Sequence, residues 1–246
     1  MKFYLSTIAP DAAEVAGKYR LGLEIAEYCT AWNMEEQFSE TDSAVKQKLQ
    51  GIDRRIFHAP FNELFPCAID PKARALAESR YRQAAELAKA YGAEKLVIHG
   101  GFNAGLYFPR WYIAESVKFW KAFLGEDPGI PIVLENVLET EPGWLAEIAE
   151  QVGSDRLRLC LDIGHANAYS PVSVEDWLTR CAPYLSHFHI HNNAGDMDTH
   201  SALFQGSIPM GEFLAQANDL CPQATATLEV LEAAPSAEWL KENAWI

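Results

Sequence analysis

Short runs of β-branched and aromatic residues alternate along the whole chain with longer stretches in which apolar side chains recur at helical spacing. Eight such units are visible. Strands are predicted over Lys2–Thr7, Arg20–Tyr28, Arg54–Ala59, Lys95–Gly100, Pro131–Asn136, Arg156–Asp162, Leu185–Asn192 and Ala224–Val230. Leu96-Val97-Ile98 and Ile132-Val133-Leu134 are apolar on both faces, as strands lying between a core and a layer of helices must be. Asp70 followed by Pro71 predicts a helix start, and that stretch closes at Gly92, a residue suited to the left-handed position after a helix. Pro142 opens another helix that runs toward Gly153, and Ser173 with Asp176 three residues later opens a third. Strictly alternating strands and helices predict a parallel sheet. A doubly wound open sheet would use fewer strands and a glycine-rich first turn, which Ser6-Thr7-Ile8-Ala9-Pro10 is not. The expectation is therefore an α/β fold, a single (β/α)8 TIM barrel covering residues 1–246, a length that fits that architecture.

Composition narrows the class. Hydrophobic residues make up 49% of the chain, enough for a large core. No apolar stretch approaches bilayer length, and the N-terminus lacks the pattern of an export signal, so a soluble cytoplasmic protein is expected. The five cysteines are widely spaced with no Cys-x-x-Cys pair, which indicates neither a disulfide framework nor a thiolate zinc site. A net charge of −14 without a Lys/Arg cluster disfavours a nucleic-acid partner.

Charged and imidazole side chains change the picture further. His58, His99, Glu135, Asp162, His189 and Glu229 fall at or just past the C-terminal ends of six consecutive predicted strands, the face on which TIM barrels carry their sites. A carboxylate directly after a buried apolar strand, as in Val133-Leu134-Glu135, costs several kcal/mol unless a cation compensates it. Three such carboxylates on one mouth would repel one another, so divalent metal is the expected partner. In His187-Phe188-His189-Ile190-His191, alternation puts all three histidines on one face. His189 is the expected ligand, with His187 deeper and His191 nearer substrate or solvent. Asp198-Thr199-His200 is close enough to hold one ion together, and imidazole mixed with carboxylate suits zinc, manganese, iron or cobalt. The segment Gly100–Phe108, with Phe102, suits either stacking on a sugar ring or aromatic packing between loops. Glu24 is placed to face the mouth or an adjacent loop. Phe108-Pro109-Arg110-Trp111-Tyr112 fits either a homodimer interface or a binding wall.

Taken together, His58-Ala59-Pro60-Phe61, Val97-Ile98-His99-Gly100-Gly101, Leu134-Glu135-Asn136, Asp162-Ile163-Gly164-His165, Phe188-His189-Ile190-His191-Asn192, Asp198-Thr199-His200 and Leu228-Glu229 resemble the xylose isomerase-like TIM barrels, which include AP endonuclease family 2 and many sugar phosphate isomerases and epimerases. The resemblance covers essentially the whole chain. In the isomerase and epimerase branch it implies one metal held by Glu135, Asp162, His189 and Glu229, with both glutamates moving protons and His165 touching substrate oxygen. In the endonuclease IV branch it implies three zinc ions held by His58, His99, Glu135, Asp162, His165, His189, Asp198, His200 and Glu229. Phe61 follows the first histidine where those endonucleases place duplex-wedging residues, but neighbouring basic residues are missing. Asn192 stands where many relatives carry Asp, and Arg110 is the one basic residue suggested for a substrate phosphate.

The sequence thus predicts an isomerase or epimerase of a small sugar, polyol or sugar phosphate with one to three metal ions, and Glu135 and Glu229 as acid and base. The alternative is a multinuclear phosphoester hydrolase, and a third is a barrel that binds without catalysis. Phe61, Phe102, His191 and Arg110 are the expected substrate contacts.

Overall fold

Eight parallel strands close on themselves in sequence order, β1 pairing with both β2 and β8. The structure, a computed structural model, describes residues 1–246. The first half runs β1 (Lys2–Ser6), α1 (Ala12–Tyr19), β2 (Gly22–Ile25), α2 (Ala31–Met34), α3 (Phe38–Lys48), β3 (Arg55–His58), α4 (Pro71–Ala90) and β4 (Leu96–His99). The second half continues α5 (Pro109–Gly125), β5 (Ile132–Glu135), α6 (Pro142–Val152), β6 (Leu157–Asp162), α7 (Ile163–Tyr169), α8 (Val174–Cys181), β7 (Leu185–Ile190), α9 (Met210–Leu220), β8 (Thr225–Leu228) and α10 (Ala233–Glu242). The predicted (β/α)8 barrel is present, and every predicted strand contains an observed one.

The local signals act as expected. Asp70 accepts a hydrogen bond from the Lys72 amide at the start of α4, and Gly92 past its end sits at φ +68°. Ser173 caps α8 through the Asp176 amide, and Pro142 occupies the first turn of α6. The short α7 was not evident in the sequence. It starts directly from the end of β6, with Asp162 as its cap.

Two apolar layers result. The larger lies between strands and helices, where Leu23, Phe57, Ile98, Leu134, Leu161 and Phe188 pack outward against helix residues such as Trp120 and Trp177. The smaller fills the base of the barrel interior with Tyr4, Ile56, Val97, Val133 and Cys160. Gly22 is required there: a Cβ on it would lie 2.2 Å from the Tyr4 ring. Above this base the interior turns polar toward the C-terminal strand ends, and a line of polar side chains through Thr227, His187 and Thr225 continues down to Lys95. No helix is long and apolar enough to cross a membrane.

Candidate metal centre

Register places the expected ligands side by side. Asp162 pairs with His189 across β6 and β7, and His99 pairs with Glu135 across β4 and β5. Asn136 staples the next turn, donating from Nδ2 to the Asp162 carbonyl at 2.8 Å and accepting from the Asp162 amide at 2.9 Å. Asp162 Oδ1 accepts from the His165 amide at 2.7 Å, and Oδ2 is the oxygen on the His189 side.

There, His189 Nδ1 lies 3.3 Å from Glu135 Oε1, 3.2 Å from Glu229 Oε2 and 3.8 Å from Asp162 Oδ2. Ligands about 2.1 Å from one ion stand about 3.4 Å apart in a tetrahedron and about 3.0 Å apart in an octahedron. The observed separations match that spacing. His189 Nδ1 is also fully buried with no hydrogen-bond partner, which is how a donor reserved for a metal looks.

Two further groups flank this centre. Glu135 turns its second oxygen, Oε2, toward His58 Nε2 at 3.3 Å and His99 Nε2 at 3.6 Å. On the other side, Asp198 Oδ2 lies 3.2 Å from His165 Nε2 and 3.0 Å from His200 Nε2. All nine predicted ligands therefore lie at one mouth: Glu135 is shared between the central group and the group of His58 and His99, while on the other side Asp198 and His200 group with His191, and His165 reaches Asp198. The donor set, imidazole plus carboxylate with no thiolate among the nine, fits a borderline divalent ion.

Electrostatics agree with that fit. Burial by itself raises carboxyls and lowers imidazoles, but ion pairing overrides it here. His189 and His99 hold the Glu135 carboxyl well below its usual range, and His165 and His191 hold Asp162 below its own. In return His165 is raised well above the ordinary imidazole value by Asp162, Asp198 and Glu135, and His189 by Cys160 together with Glu24, Glu135 and Glu229. His99 is the exception, pulled down to about 4 by its burial. A dication supplies the same compensation as these protons and displaces them on binding.

The loop between β7 and α9 is fixed by Asn192. Its Nδ2 donates to the carbonyls of Leu203 and Ile208, and its Oδ1 accepts from the Ile208 amide at 3.1 Å. Gly206 is needed beside it, because a Cβ there would lie 2.1 Å from Asn192 Oδ1. Asn192, a departure from the family pattern at the sequence level, is thus a staple for the segment that carries Asp198 and His200. His200 itself adopts φ +46°, an uncommon conformation for a residue with a side chain, and its Nδ1 donates to the Glu229 carbonyl at 2.7 Å.

The cavity over these groups measures about 450 Å³. His58, His99, Glu135, His165, Asp198, His200 and Glu229 supply its polar lining; Ile8, Phe61, Val137, Leu138 and Tyr169 supply apolar wall, and no lysine or arginine lines it. Phe61 stacks on the His99 ring at 4.3 Å. The other expected substrate contacts are not brought here. Phe102 is buried and packs against Trp144 at 4.8 Å and Tyr112 at 5.2 Å, the packing alternative for its segment. Arg110 is on the first turn of α5 and does not reach the cavity. His191 is fully buried, not solvent-facing: Nε2 donates to Asp162 at 3.1 Å and its ring stacks on His200 at 4.3 Å.

Glu24 does not face the mouth. It registers with Ile56, one inward layer beneath His58, and its carboxylate meets His189 and His187. Its signal was present, a carboxylate between Leu23 and Ile25 in a buried strand, but the predicted strand ran too long and placed its end too high. Cys29, 3.4 Å from His58 Nδ1, carried no such signal.

Comparisons with known proteins agree with this architecture. The family model described as "Xylose isomerase-like TIM barrel" matches residues 19–246. The uncharacterized protein MJ1311 of Methanocaldococcus jannaschii is 31% identical, over 76% of this chain and 69% of that protein. The TTHB071 protein of Thermus thermophilus, in crystals soaked with ZnCl2, superposes with a TM-score of 0.80 at 25% identity, covering 99% of this chain and 98% of the other. A D-tagatose 3-epimerase-like protein superposes with a TM-score of 0.79 at 24% identity, covering 99% and 97%.

Proposed function

Because the chain belongs to the xylose isomerase-like TIM barrel family, we propose that it is a divalent-metal-dependent isomerase or epimerase of a small sugar or polyol. One observation carries this reading. Of the four central donors, Glu135 and Glu229 line the cavity, whereas Asp162 and His189 lie behind them. Two carboxylates that both reach the substrate space are what proton removal from one carbon and return to its neighbour, or to the opposite face, requires.

Glu135, Asp162, His189 and Glu229 would hold the central ion, and zinc soaked into crystals of the T. thermophilus relative is consistent with such a site. Bound there, a divalent ion supplies Lewis-acid polarisation of a carbonyl or hydroxyl oxygen. Glu135 and Glu229 hold and move the proton. His165, His58 and His99 form the polar side of the substrate space, and Phe61 with Leu138 and Tyr169 covers its apolar edge and excludes water. With no lysine or arginine in the lining, the cavity favours an unphosphorylated substrate.

The test is solvent exchange. Protein loaded with zinc, manganese or cobalt is incubated with a panel of ketoses, aldoses and cyclic polyols in heavy water, and carbon-bound deuterium is read by nuclear magnetic resonance. Deuterium at a single carbon next to a carbonyl is expected; absence of exchange with every compound, together with hydrolysis of a phosphodiester, would replace the isomerase by the hydrolase.

A specific observation favours that second reading. Glu135 divides its oxygens between two donor groups, and Asp198 gathers a third with His165 and His200. Several ions held this close would activate water and stabilise the oxygens of an in-line displacement.

A further inference from the structure

Beneath the central donor group a chain of buried polar side chains runs down the barrel interior, and its hydrogen bonds have a definite direction. At the base, Lys95 Nζ donates to the Ser186 carbonyl and, at 2.9 Å, to Thr225 Oγ1. Having accepted from an ammonium, the Thr225 hydroxyl is free to donate its own proton to His187 Nδ1 at 2.6 Å. That leaves the His187 proton on Nε2, which lies 3.2 Å from Glu24 Oε2 and 3.1 Å from Thr227 Oγ1. Thr227 also donates to Glu24 Oε2. With Oε2 taken from below and beside, Glu24 offers Oε1 to His189 Nε2 at 2.9 Å. An imidazole that donates from Nε2 presents a lone pair at Nδ1, and Nδ1 is the unpartnered atom aimed at Glu135, Asp162 and Glu229.

We infer that Glu24 is the positioning residue of the metal centre: its carboxylate, buried one layer below the mouth and held by His187 and Thr227, orients His189 with Nδ1 directed at the central ion. The inference rests on the central donor group being a metal site. Glu24, His187, His189 and Thr227 are all fully buried. A carboxylate in that place gains nothing for packing, since apolar residues would fill the layer at lower desolvation cost. Its geometry does match the carboxylate–histidine–metal arrangement in which an outer acceptor fixes the ring and strengthens it as a ligand.

The experiment compares wild-type protein with Glu24→Gln, measuring zinc affinity by competition with a chromophoric chelator and the visible absorption spectrum of the cobalt-loaded form. Glu24→Gln is expected to bind zinc about 10–100-fold more weakly, with an altered cobalt spectrum and unchanged circular dichroism, and Glu24→Asp is expected to recover part of the loss. If Glu24→Gln does not fold, Thr227→Val carries the test, since it removes only the hydroxyl that steadies Glu24, and weaker zinc binding is again expected. A folded variant with wild-type zinc affinity and an unchanged cobalt spectrum overturns the positioning role. Wild-type protein that binds neither metal overturns the metal centre itself, a separate failure.

Discussion

Gly164, the second residue of α7, gives the sharpest test of the packing around the third donor group. A Cβ at this position would lie 1.8 Å from Cε1 of His191 and 2.4 Å from each of its ring nitrogens. Carbon atoms need about 3.5 Å, so in Gly164→Ala the ring or the helix must move by roughly 1.5 Å or more. Neither has room. The His191 ring is fully buried, bonded through Nε2 to both Asp162 oxygens at 3.1 and 3.3 Å, and stacked on His200. Overpacking of this kind costs about 1–3 kcal/mol, and a lost hydrogen bond to a charged carboxylate adds about 1.5–3 kcal/mol. In a chain of this size each kcal/mol is worth roughly 2–4 °C, so the melting temperature should fall by on the order of 10 °C. Differential scanning calorimetry of the variant reads this directly. Gly211→Ala is the control, because that helical glycine has open space where the Cβ would go and should be neutral or slightly stabilised. A Gly164→Ala protein that melts with wild type and keeps its metal would refute the placement of His191 against α7.

Other consequences follow from the same geometry. Glu135→Gln should lower turnover by about 10²–10⁴-fold and weaken metal binding while the circular dichroism of the barrel is retained; full activity removes Glu135 from the centre. His200→Ala separates the two chemistries in a steady-state assay: an isomerase working through the central ion keeps much of its rate, whereas a three-metal hydrolase loses nearly all of it. Stripping metal with chelator should lower the melting temperature, since a ligand at a hundred times its Kd contributes about 2.7 kcal/mol, and readdition should restore it. Burial pulls Lys95 down to about 8. Its folded value lies below the unfolded one, so the unfolded chain binds more protons between about 8 and 10.5, and that group's contribution to stability rises with pH across this window. Thermal melts of wild type and Lys95→Met should therefore diverge in favour of wild type as pH rises through that window; parallel curves would contradict the burial of the ammonium.

The barrel was legible because its cues are local and repeated. Apolar strands such as Leu96-Val97-Ile98, and helix starts such as those at Asp70 and Ser173, need no knowledge of distant contacts to be recognised. The nine candidate ligands stood out for a related reason: a carboxylate or imidazole at the end of a buried strand is costly enough to demand a partner. What stayed hidden depends on register and layer height. Glu24 has the same signature as Glu135, yet whether it faces the mouth or the layer below is decided by its pairing with Ile56. His191 and Phe102 have side chains suited to substrate contact, and only packing against Gly164 or Trp144 shows that they are spent elsewhere. Asn192 looked like a gap in a family pattern, and its role emerged once the loop carbonyls of Leu203 and Ile208 were seen around it.

Metal content per chain, measured by inductively coupled plasma mass spectrometry on protein purified without chelator or added metal, tests the central claim most directly. The proposal that Glu135, Asp162, His189 and Glu229 hold a metal predicts at least one zinc, manganese, cobalt or iron ion per chain, with one favouring the isomerase and three the hydrolase. A content near zero that does not rise on dialysis against these ions would contradict it.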